Sequence, residues 1–252
     1  MQLGLVTYNV AKDWDIETMI LKLEAARFES VELRTTHKHG VEPSLPRPER
    51  ERIRARFNRS KIKLLSLGTI CEFHAADQAV RDKNVAECKA FIELAHDLGA
   101  WGVKVRPNGF PEGVPRETTT QRIGAALREC GEYGARFGVE VWLEVHGRDT
   151  QNPPNILAMM KACNHQAVGV CWNSNPTDVV DGSVKQNFDL LRPYLKSCHI
   201  NELSSSYPWR ELFTLMRKSG YDRWTLVEVA ESKEPERFLG YYRALWTELT
   251  KG

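Results

Sequence analysis

The sequence predicts a single α/β domain over residues 1–252, folded as a (β/α)8 TIM barrel. Eight short apolar segments alternate strictly with eight segments of helical period, which is typical of a parallel sheet whose strands are joined by helices. Eight such repeats in about 250 residues also match the length of a closed barrel. An open doubly wound sheet is the alternative. It favours a glycine-rich turn after the first strand, and Tyr8–Asp13 contains no glycine.

The predicted strands are short and apolar, so we expect them to be buried on both faces. In chain order they are Leu3–Tyr8, Ser30–Leu33, Ile62–Leu67, Trp101–Val105, Val139–His146, Val168–Trp172, Leu195–Ile200 and Trp224–Val229.

The predicted helices follow from apolar residues at helical spacing and from residues that favour helix ends. Asp13 or Asp15 is expected to cap the first helix, and Gly99, Gly138 and Gly220 are expected to end later ones. The helices carry apolar residues from Ile16 to Phe28 and then span Glu49–Arg59, Asp77–Leu98, Arg116–Phe137, Pro153–Cys163, Val184–Leu191, Pro208–Ser219 and a last segment from Pro235.

The composition argues against several functional classes. The 35 basic and 33 acidic residues leave a net charge of +2, which provides no electrostatic basis for binding nucleic acid or an anionic membrane. Six cysteines without a Cys-x-x-Cys pair indicate buried free thiols. No apolar run approaches the roughly 20 residues of a membrane span, and a strand begins at Leu3, which leaves no room for a signal peptide. We therefore expect a cytoplasmic protein.

Four polar side chains stand at the ends of the last four predicted strands. They are Glu144, Asn173, His199 and Glu228, spaced 29, 26 and 29 residues apart, or about one repeat each. Because functional sites of such barrels lie where strands end and loops begin, we expect these side chains to converge. Two carboxylates, an imidazole and an amide oxygen suit Mn²⁺, Mg²⁺ or Co²⁺, with Zn²⁺ as a further candidate.

Each of these residues also has an ordinary structural explanation. His199 alone is compatible with a core histidine bonded to a carbonyl, and Asn173 alone with a loop cap. Glu144 and Glu228 are harder to explain in this way, because two acids at apolar strand ends repel each other unless a cation lies between them. Together the four residues favour a metal site.

The chain resembles the sugar phosphate isomerase/epimerase family, whose members have a xylose isomerase-like TIM barrel. The resemblance spans essentially the whole barrel and is carried by Trp142–His146, Val170–Asn175, Ser197–Glu202 and Val227–Glu228. It implies metal ligation by Glu, Asp, His and Glu in that order, at Glu144, Asn173, His199 and Glu228. It also implies that the two glutamates transfer protons.

The sequence departs from this family pattern at two positions. Asn173 stands where the family has an aspartate, and an amide oxygen ligates a hard cation without contributing charge. Pro176 stands where a histidine usually follows three residues later. Asp178 is a candidate replacement carboxylate deeper in the same loop.

We therefore expect a metal-dependent isomerase or epimerase of a sugar or sugar derivative, in which Glu144 and Glu228 transfer protons through an enediolate. A dehydratase or lyase acting on a keto-sugar or cyclic polyol is the close alternative, and a non-catalytic sugar-binding barrel is another. A DNA repair endonuclease would need a richer ligand set and a basic groove. The predicted substrate-binding residues are His146, Arg106, Lys104, Arg34, Glu72 and His74.

The expected partner is a small sugar or polyol, with no nucleic acid and no membrane. Several relatives in the resembled family associate through their outer helices. Tyr241, Tyr242 and Trp246 on the last helix are candidates for such a homo-oligomer contact, or for packing that helix onto the barrel.

Overall fold

Eight parallel strands close into a barrel within residues 1–251, the part of the chain that the computed structural model describes. Each strand pairs with the next along the chain, and the last pairs with the first, so the open-sheet alternative is wrong. The strands are β1 (Gln2–Asn9), β2 (Ser30–Arg34), β3 (Lys63–Glu72), β4 (Gly102–Arg106), β5 (Glu140–Glu144), β6 (Val168–Trp172), β7 (Leu195–Ile200) and β8 (Trp224–Val229).

Eight α-helices in the same described range cover the outside of the barrel. They are α1 (Ile16–Ala25), α2 (Arg47–Asn58), α3 (Gln78–Leu98), α4 (Arg116–Phe137), α5 (Pro153–Cys163), α6 (Lys185–Leu191), α7 (Trp209–Lys218) and α8 (Pro235–Thr250). The predicted fold class is therefore confirmed.

The helix ends show why the local sequence predicts them well. Asp15 caps α1 by accepting from the Thr18 amide at 2.8 Å, and Asp77 caps α3 by accepting from the Ala79 amide at 2.8 Å. Gly99 ends α3 with a φ of +77°, a left-handed conformation that glycine adopts without steric cost. These are contacts between near neighbours, so the sequence encodes them directly.

Two strands, β3 and β5, differ most in length from the prediction, whereas β1 and β2 are only slightly longer than predicted. β3 continues past Leu67 to Glu72, because a register irregularity lets its last residue pair with Arg106 on β4. β5 is shorter and ends at Glu144. His146 therefore lies just beyond the strand, before a turn at Gly147 with a φ of +89°.

The barrel interior is stacked in layers along the axis. An apolar cluster fills the middle and is made of Val6, Leu65, Trp142, Cys171, Trp224 and Leu226. At the strand starts, Glu140 pairs with Lys196 and Arg223. At the opposite end, Glu144 follows Trp142 by two residues and so leaves β5 on the same side. The apolar layer thus forms the floor of the candidate site.

The six cysteines are free and buried, as the composition predicts. On α8, Tyr242 and Trp246 pack into the core, whereas Tyr241 is 64% exposed. The proposed oligomer contact through this helix stays a prediction.

No helix in residues 1–251 combines the length and the apolarity that a membrane crossing requires.

Candidate metal centre

Three of the four predicted ligands converge at the mouth of the barrel. Ligand atoms of Glu144, His199 and Glu228 all lie within 4.8 Å of one another. His199 Nδ1 is 3.5 Å from Glu144 Oε1 and 3.3 Å from Glu228 Oε2. Two nitrogen or oxygen atoms on one first-row divalent ion lie at most roughly 4.4 Å apart, since each bond is about 2.0–2.2 Å long. The two separations from His199 Nδ1, 3.5 and 3.3 Å, fit such an ion.

Asn173, the fourth predicted ligand, directly follows β6 and is 8% exposed. Its carboxamide makes no hydrogen bond to any residue between 1 and 251. It lies two positions beyond Cys171, whose side chain faces the barrel interior, so it leaves the strand on the inner side. Ligation by Asn173 stays a prediction.

The imidazole of His199 is fully buried, and neither of its nitrogens makes an aligned hydrogen bond within the described residues. Its Nε2 is 3.2 Å from Glu32 Oε1, close enough for charge interaction, and that oxygen also lacks a hydrogen bond. Buried polar atoms without partners are rare and call for an explanation. A cation held by Nδ1 and the two facing carboxylates provides one.

Glu32 is a site residue that the sequence interpretation missed. It is completely buried on β2, and its Oε2 accepts a hydrogen bond from Ser66 Oγ at 2.8 Å. Metal-binding histidines commonly turn their second nitrogen toward a carboxylate, which fixes the ring orientation. Glu32 stands in that position behind His199. Its sequence signal was the one that identified Glu144, an acid among apolar strand residues.

Lys104, a predicted substrate-binding residue, is buried inside the barrel. Its Nζ donates to Glu144 Oε2 at 2.7 Å, and the two side chains are 7% and 3% exposed. Burial lowers the pKa of Lys104, but the negative charges of Glu144, Glu32 and Glu228 raise it by more, so the pKa is higher than its ordinary value. Its role in binding substrate stays a prediction.

Glu144 thereby has two differently engaged oxygens. Oε2 accepts from Lys104, and Oε1 faces His199. Burial raises the pKa of Glu144, but the charge of the adjacent Lys104 and the nearby His199 outweigh this effect and hold that pKa below its ordinary value. The carboxylate therefore stays ionised and leaves one oxygen available to a cation.

The charge balance of the cluster also suits a divalent ion. Glu32, Glu144 and Glu228 against Lys104 leave a formal charge of −2 when His199 is neutral. Burial lowers the pKa of His199, yet Cys171, Glu32 and Glu228 raise it well above its usual range. The surrounding negative charge thus strongly favours a positive group at the imidazole. The residues present fit a metal centre.

Three predicted substrate-binding residues lie together beside this cluster. Arg106 Nη2 donates to Glu72 Oε1, and Asn108 Nδ2 donates to the same oxygen at 2.7 Å. His74 Nδ1 is 3.9 Å from Glu72 Oε2. Asn108 was missed by the sequence interpretation, because an asparagine in a Gly/Pro-rich loop carries no distinctive signal.

His146, two residues beyond Glu144, joins the same group. Its Nδ1 is 3.0 Å from Asn108 Oδ1. Burial lowers the pKa of His146, and Glu144 partly opposes that shift. The environment of His146 therefore favours its neutral form.

Arg34 stands apart from the other predicted substrate-binding residues. Its guanidinium donates to the Thr35 carbonyl and to Thr36 Oγ1, both at 2.9 Å, and lies 5.5 Å from the Tyr8 ring centre. These contacts hold it at the mouth between β1 and β2. A role in substrate binding stays a prediction.

Asp178, the candidate replacement carboxylate, is not among the three residues with converging ligand atoms. Its Oδ2 accepts from the Asn175 amide at 2.7 Å and from Tyr207 Oη at 3.0 Å. Burial raises the pKa of Asp178 to about 7. The hydrogen bonds thus hold Asp178 in its own loop, where it does not replace the missing aspartate.

A cavity of about 520 Å³ opens beside these residues at the ends of β3, β4 and β5. Its lining includes His74, Asn108, Phe110, Arg148 and Asp149. It has room for a small ligand next to Asn108, which bonds His146.

The chain belongs to the xylose isomerase-like TIM barrel family, since the family model described as "Xylose isomerase-like TIM barrel" matches residues 20–244. None of the curated proteins compared with the chain matches its sequence.

Several solved structures are similar to this chain over almost their whole length. D-psicose 3-epimerase with D-tagatose, from Clostridium cellulolyticum H10, superposes with a TM-score of 0.85 at 14% identity, covering 100% of both chains. The IolI protein with a zinc atom superposes with a TM-score of 0.79 at 16% identity, covering 99% of this chain and 96% of that one. The probable 3-DHS dehydratase AsbF of Bacillus anthracis superposes with a TM-score of 0.79 at 13% identity, covering 98% of this chain and 99% of that one. At these identities the likeness shows the shared fold alone.

Proposed function

We propose that this protein is a divalent-metal-dependent isomerase or epimerase of a sugar or sugar derivative. The observation that carries the proposal is the convergence of Glu144, His199 and Glu228 within 4.8 Å at the mouth of the barrel. Asn173 would complete the ligand set with its amide oxygen. Mn²⁺, Mg²⁺, Co²⁺ and Zn²⁺ all accept such nitrogen and oxygen ligands.

A bound divalent ion would supply Lewis-acid stabilisation of the negative charge that develops on the substrate oxygens. The protein's own contribution is the pair of carboxylates on either side of His199 Nδ1. One glutamate removes the proton next to the substrate carbonyl, and the other returns a proton to the enediolate. Return to the opposite face gives an epimer, and return to the neighbouring carbon gives an aldose–ketose isomer.

The two carboxylates are not equivalent. The Glu228 side chain is 22% exposed, whereas Glu144 is enclosed and bonded to Lys104. Glu228 therefore has the freer access to a ligand in the barrel mouth. Glu144 is held more rigidly, with Oε1 directed to the same space.

The names of structurally similar proteins support this class of reaction. One is an epimerase with a ketose, and another holds zinc. A third is named as a dehydratase, which keeps elimination open as the alternative reaction. The same proton abstraction leads to loss of a hydroxyl when the enediolate is not reprotonated.

Solvent-deuterium exchange tests the proposal. Protein purified without chelator is first analysed for bound metal, and then incubated in D₂O with a panel of ketoses, sugar acids and inososes. We expect a bound or titratable divalent ion and deuterium incorporation into at least one compound. Glu144→Gln and Glu228→Gln should each abolish incorporation, whereas Glu93→Gln on the exposed face of α3 should not.

Two results would overturn the proposal. The first is the absence of any titratable divalent ion. The second is incorporation that survives both active-site substitutions. Release of water from the substrate, instead of exchange, would identify the dehydratase alternative.

A further inference from the structure

Four side chains form a linear series of hydrogen bonds at the barrel mouth. Arg106 Nη2 and Asn108 Nδ2 both donate to Glu72 Oε1, the second at 2.7 Å. Asn108 Oδ1 then lies 3.0 Å from His146 Nδ1. The series runs from the ends of β3 and β4 to the residue that lies two positions after Glu144.

The chemistry of these groups fixes the direction of every hydrogen bond. A guanidinium only donates and an ionised carboxylate only accepts. The Asn108 amide must therefore turn its nitrogen toward Glu72. Its oxygen then faces His146, and a carbonyl oxygen only accepts. The proton in the last hydrogen bond must consequently come from His146 Nδ1.

We propose that Arg106, Glu72 and Asn108 hold His146 in the Nδ1–H tautomer, so that its Nε2 accepts a hydrogen bond from a substrate hydroxyl. In a neutral imidazole one nitrogen carries the hydrogen and the other accepts. Nε2 has no hydrogen-bond partner within residues 1–251. The three other residues are positioning residues, because they act through His146.

His146 lies next to the candidate site. It comes two residues after Glu144, just beyond the end of β5, and its Nδ1 is 3.0 Å from Asn108 Oδ1. Asn108, its partner, lines the cavity of about 520 Å³. The identification of a substrate hydroxyl as the partner of Nε2 rests on the proposed function. The tautomer itself does not.

This arrangement constrains the class of substrate. An imidazole nitrogen with a lone pair binds a hydroxyl, which donates, and not a carboxylate or ionised phosphate oxygen, which can only accept. Sites built to hydrogen-bond one partner strongly disfavour analogues that leave the buried group unpaired. The substrate therefore places a hydroxyl at His146, and an anionic group, if present, lies elsewhere.

Nitrogen NMR of the histidine rings tests the tautomer directly. The seven histidines are labelled with ¹⁵N, the metal is removed with chelator, and long-range ¹H–¹⁵N correlations are recorded at about pH 8, where an ordinary imidazole is neutral. His146→Gln identifies the His146 signals by their loss. We expect the wild-type protein to show hydrogen on Nδ1 and a bare Nε2.

Substitutions along the series show whether it sets this state. Glu72→Gln introduces a group that can donate, so the Asn108 amide can rotate and the Nε2–H tautomer should gain population. Asn108→Ala removes the acceptor and should do the same. Asn108→Asp keeps an acceptor at this point and should retain the Nδ1–H tautomer. Glu93→Gln is the matched control and should leave the spectrum unchanged.

Activity provides the second readout. In the deuterium-exchange assay, Asn108→Ala should lower kcat/KM about tenfold through loss of one oriented hydrogen bond, and Asn108→Asp should recover most of it. A wild-type Nε2–H tautomer overturns the inference, as does an unchanged tautomer in both Glu72→Gln and Asn108→Ala. Circular dichroism shows whether Glu72→Gln and Asn108→Ala fold. If only one of them folds, its tautomer alone decides the test. Failure of the proposed function alone would leave the NMR result intact.

Discussion

Replacing Lys104 with methionine tests the electrostatics of the barrel interior. The substitution keeps a long, unbranched side chain but removes the ammonium that pairs with Glu144 Oε2 at 2.7 Å. Glu144 and Glu32 then remain buried without this counter-charge. Because a buried carboxylate that loses its partner retains its full desolvation cost, we expect the free energy of unfolding to fall by about 3–5 kcal/mol.

The expected loss of stability in Lys104→Met follows from the burial of the ion pair and not from its length. Lys89 and Glu129 form an ion pair of the same 2.7 Å length, but these side chains are 30% and 56% exposed. Solvent screens such a pair, so Lys89→Met should cost only about 0–1 kcal/mol. The difference in unfolding free energy between Lys104→Met and Lys89→Met measures how much burial increases the cost of breaking an ion pair.

Urea unfolding followed by circular dichroism provides the measurement, with chelator present so that no metal replaces the lost charge. The double variant Lys104→Met/Glu144→Gln should be less destabilised than the sum of its single variants, because it removes both charges of the pair. A cost for Lys104→Met no larger than that for Lys89→Met would refute the reasoning. So would strict additivity in the double variant.

Two further predictions concern other buried carboxylates. Glu32→Gln should weaken Mn²⁺ binding about 10- to 100-fold in a chelator-competition titration, because the group that orients His199 loses its charge. Asp178→Asn should change the pH dependence of stability. Burial raises the pKa of Asp178 from 3.8 to about 7, so the wild-type protein loses stability as pH rises through that range and the variant does not. Between pH values of about 4 and 8, the variant should gain on the order of 4 kcal/mol relative to wild type.

Each of these predictions has a clear contrary result. Mn²⁺ affinity in Glu32→Gln equal to that of Glu93→Gln would show that Glu32 does not support the metal centre. A constant difference in unfolding free energy between wild type and Asp178→Asn across this pH range would show that Asp178 titrates normally.

The fold was predictable because its signals are local and periodic. β6, β7, β8 and α4 have the predicted bounds, since alternating apolar runs and glycine stops act within a few residues of one another. β3 was predicted too short. Its extension to Glu72 depends on pairing with Arg106 on β4, which no local pattern contains.

Part of the site was predictable for a topological reason. In a closed parallel barrel the strand ends meet at one mouth, so position along each strand is enough to bring Glu144, His199 and Glu228 together. Strand position does not say which neighbouring groups touch. Lys104 was predicted only as a substrate-binding residue, and its bond to Glu144 depends on the inward side of β4 and its register with β5.

The amino-acid sequence by itself determined the eightfold repeat, most of the strand positions and the three predicted ligand residues that converge. Hydrophobic period and repeat length encode these features directly. Only the tertiary structure decided that Glu32 lies behind His199 and that Asn108 links Glu72 to His146. These contacts join residues that are far apart in the chain. They depend on side-chain directions across the barrel, which are set by strand register and by the packing of the completed fold.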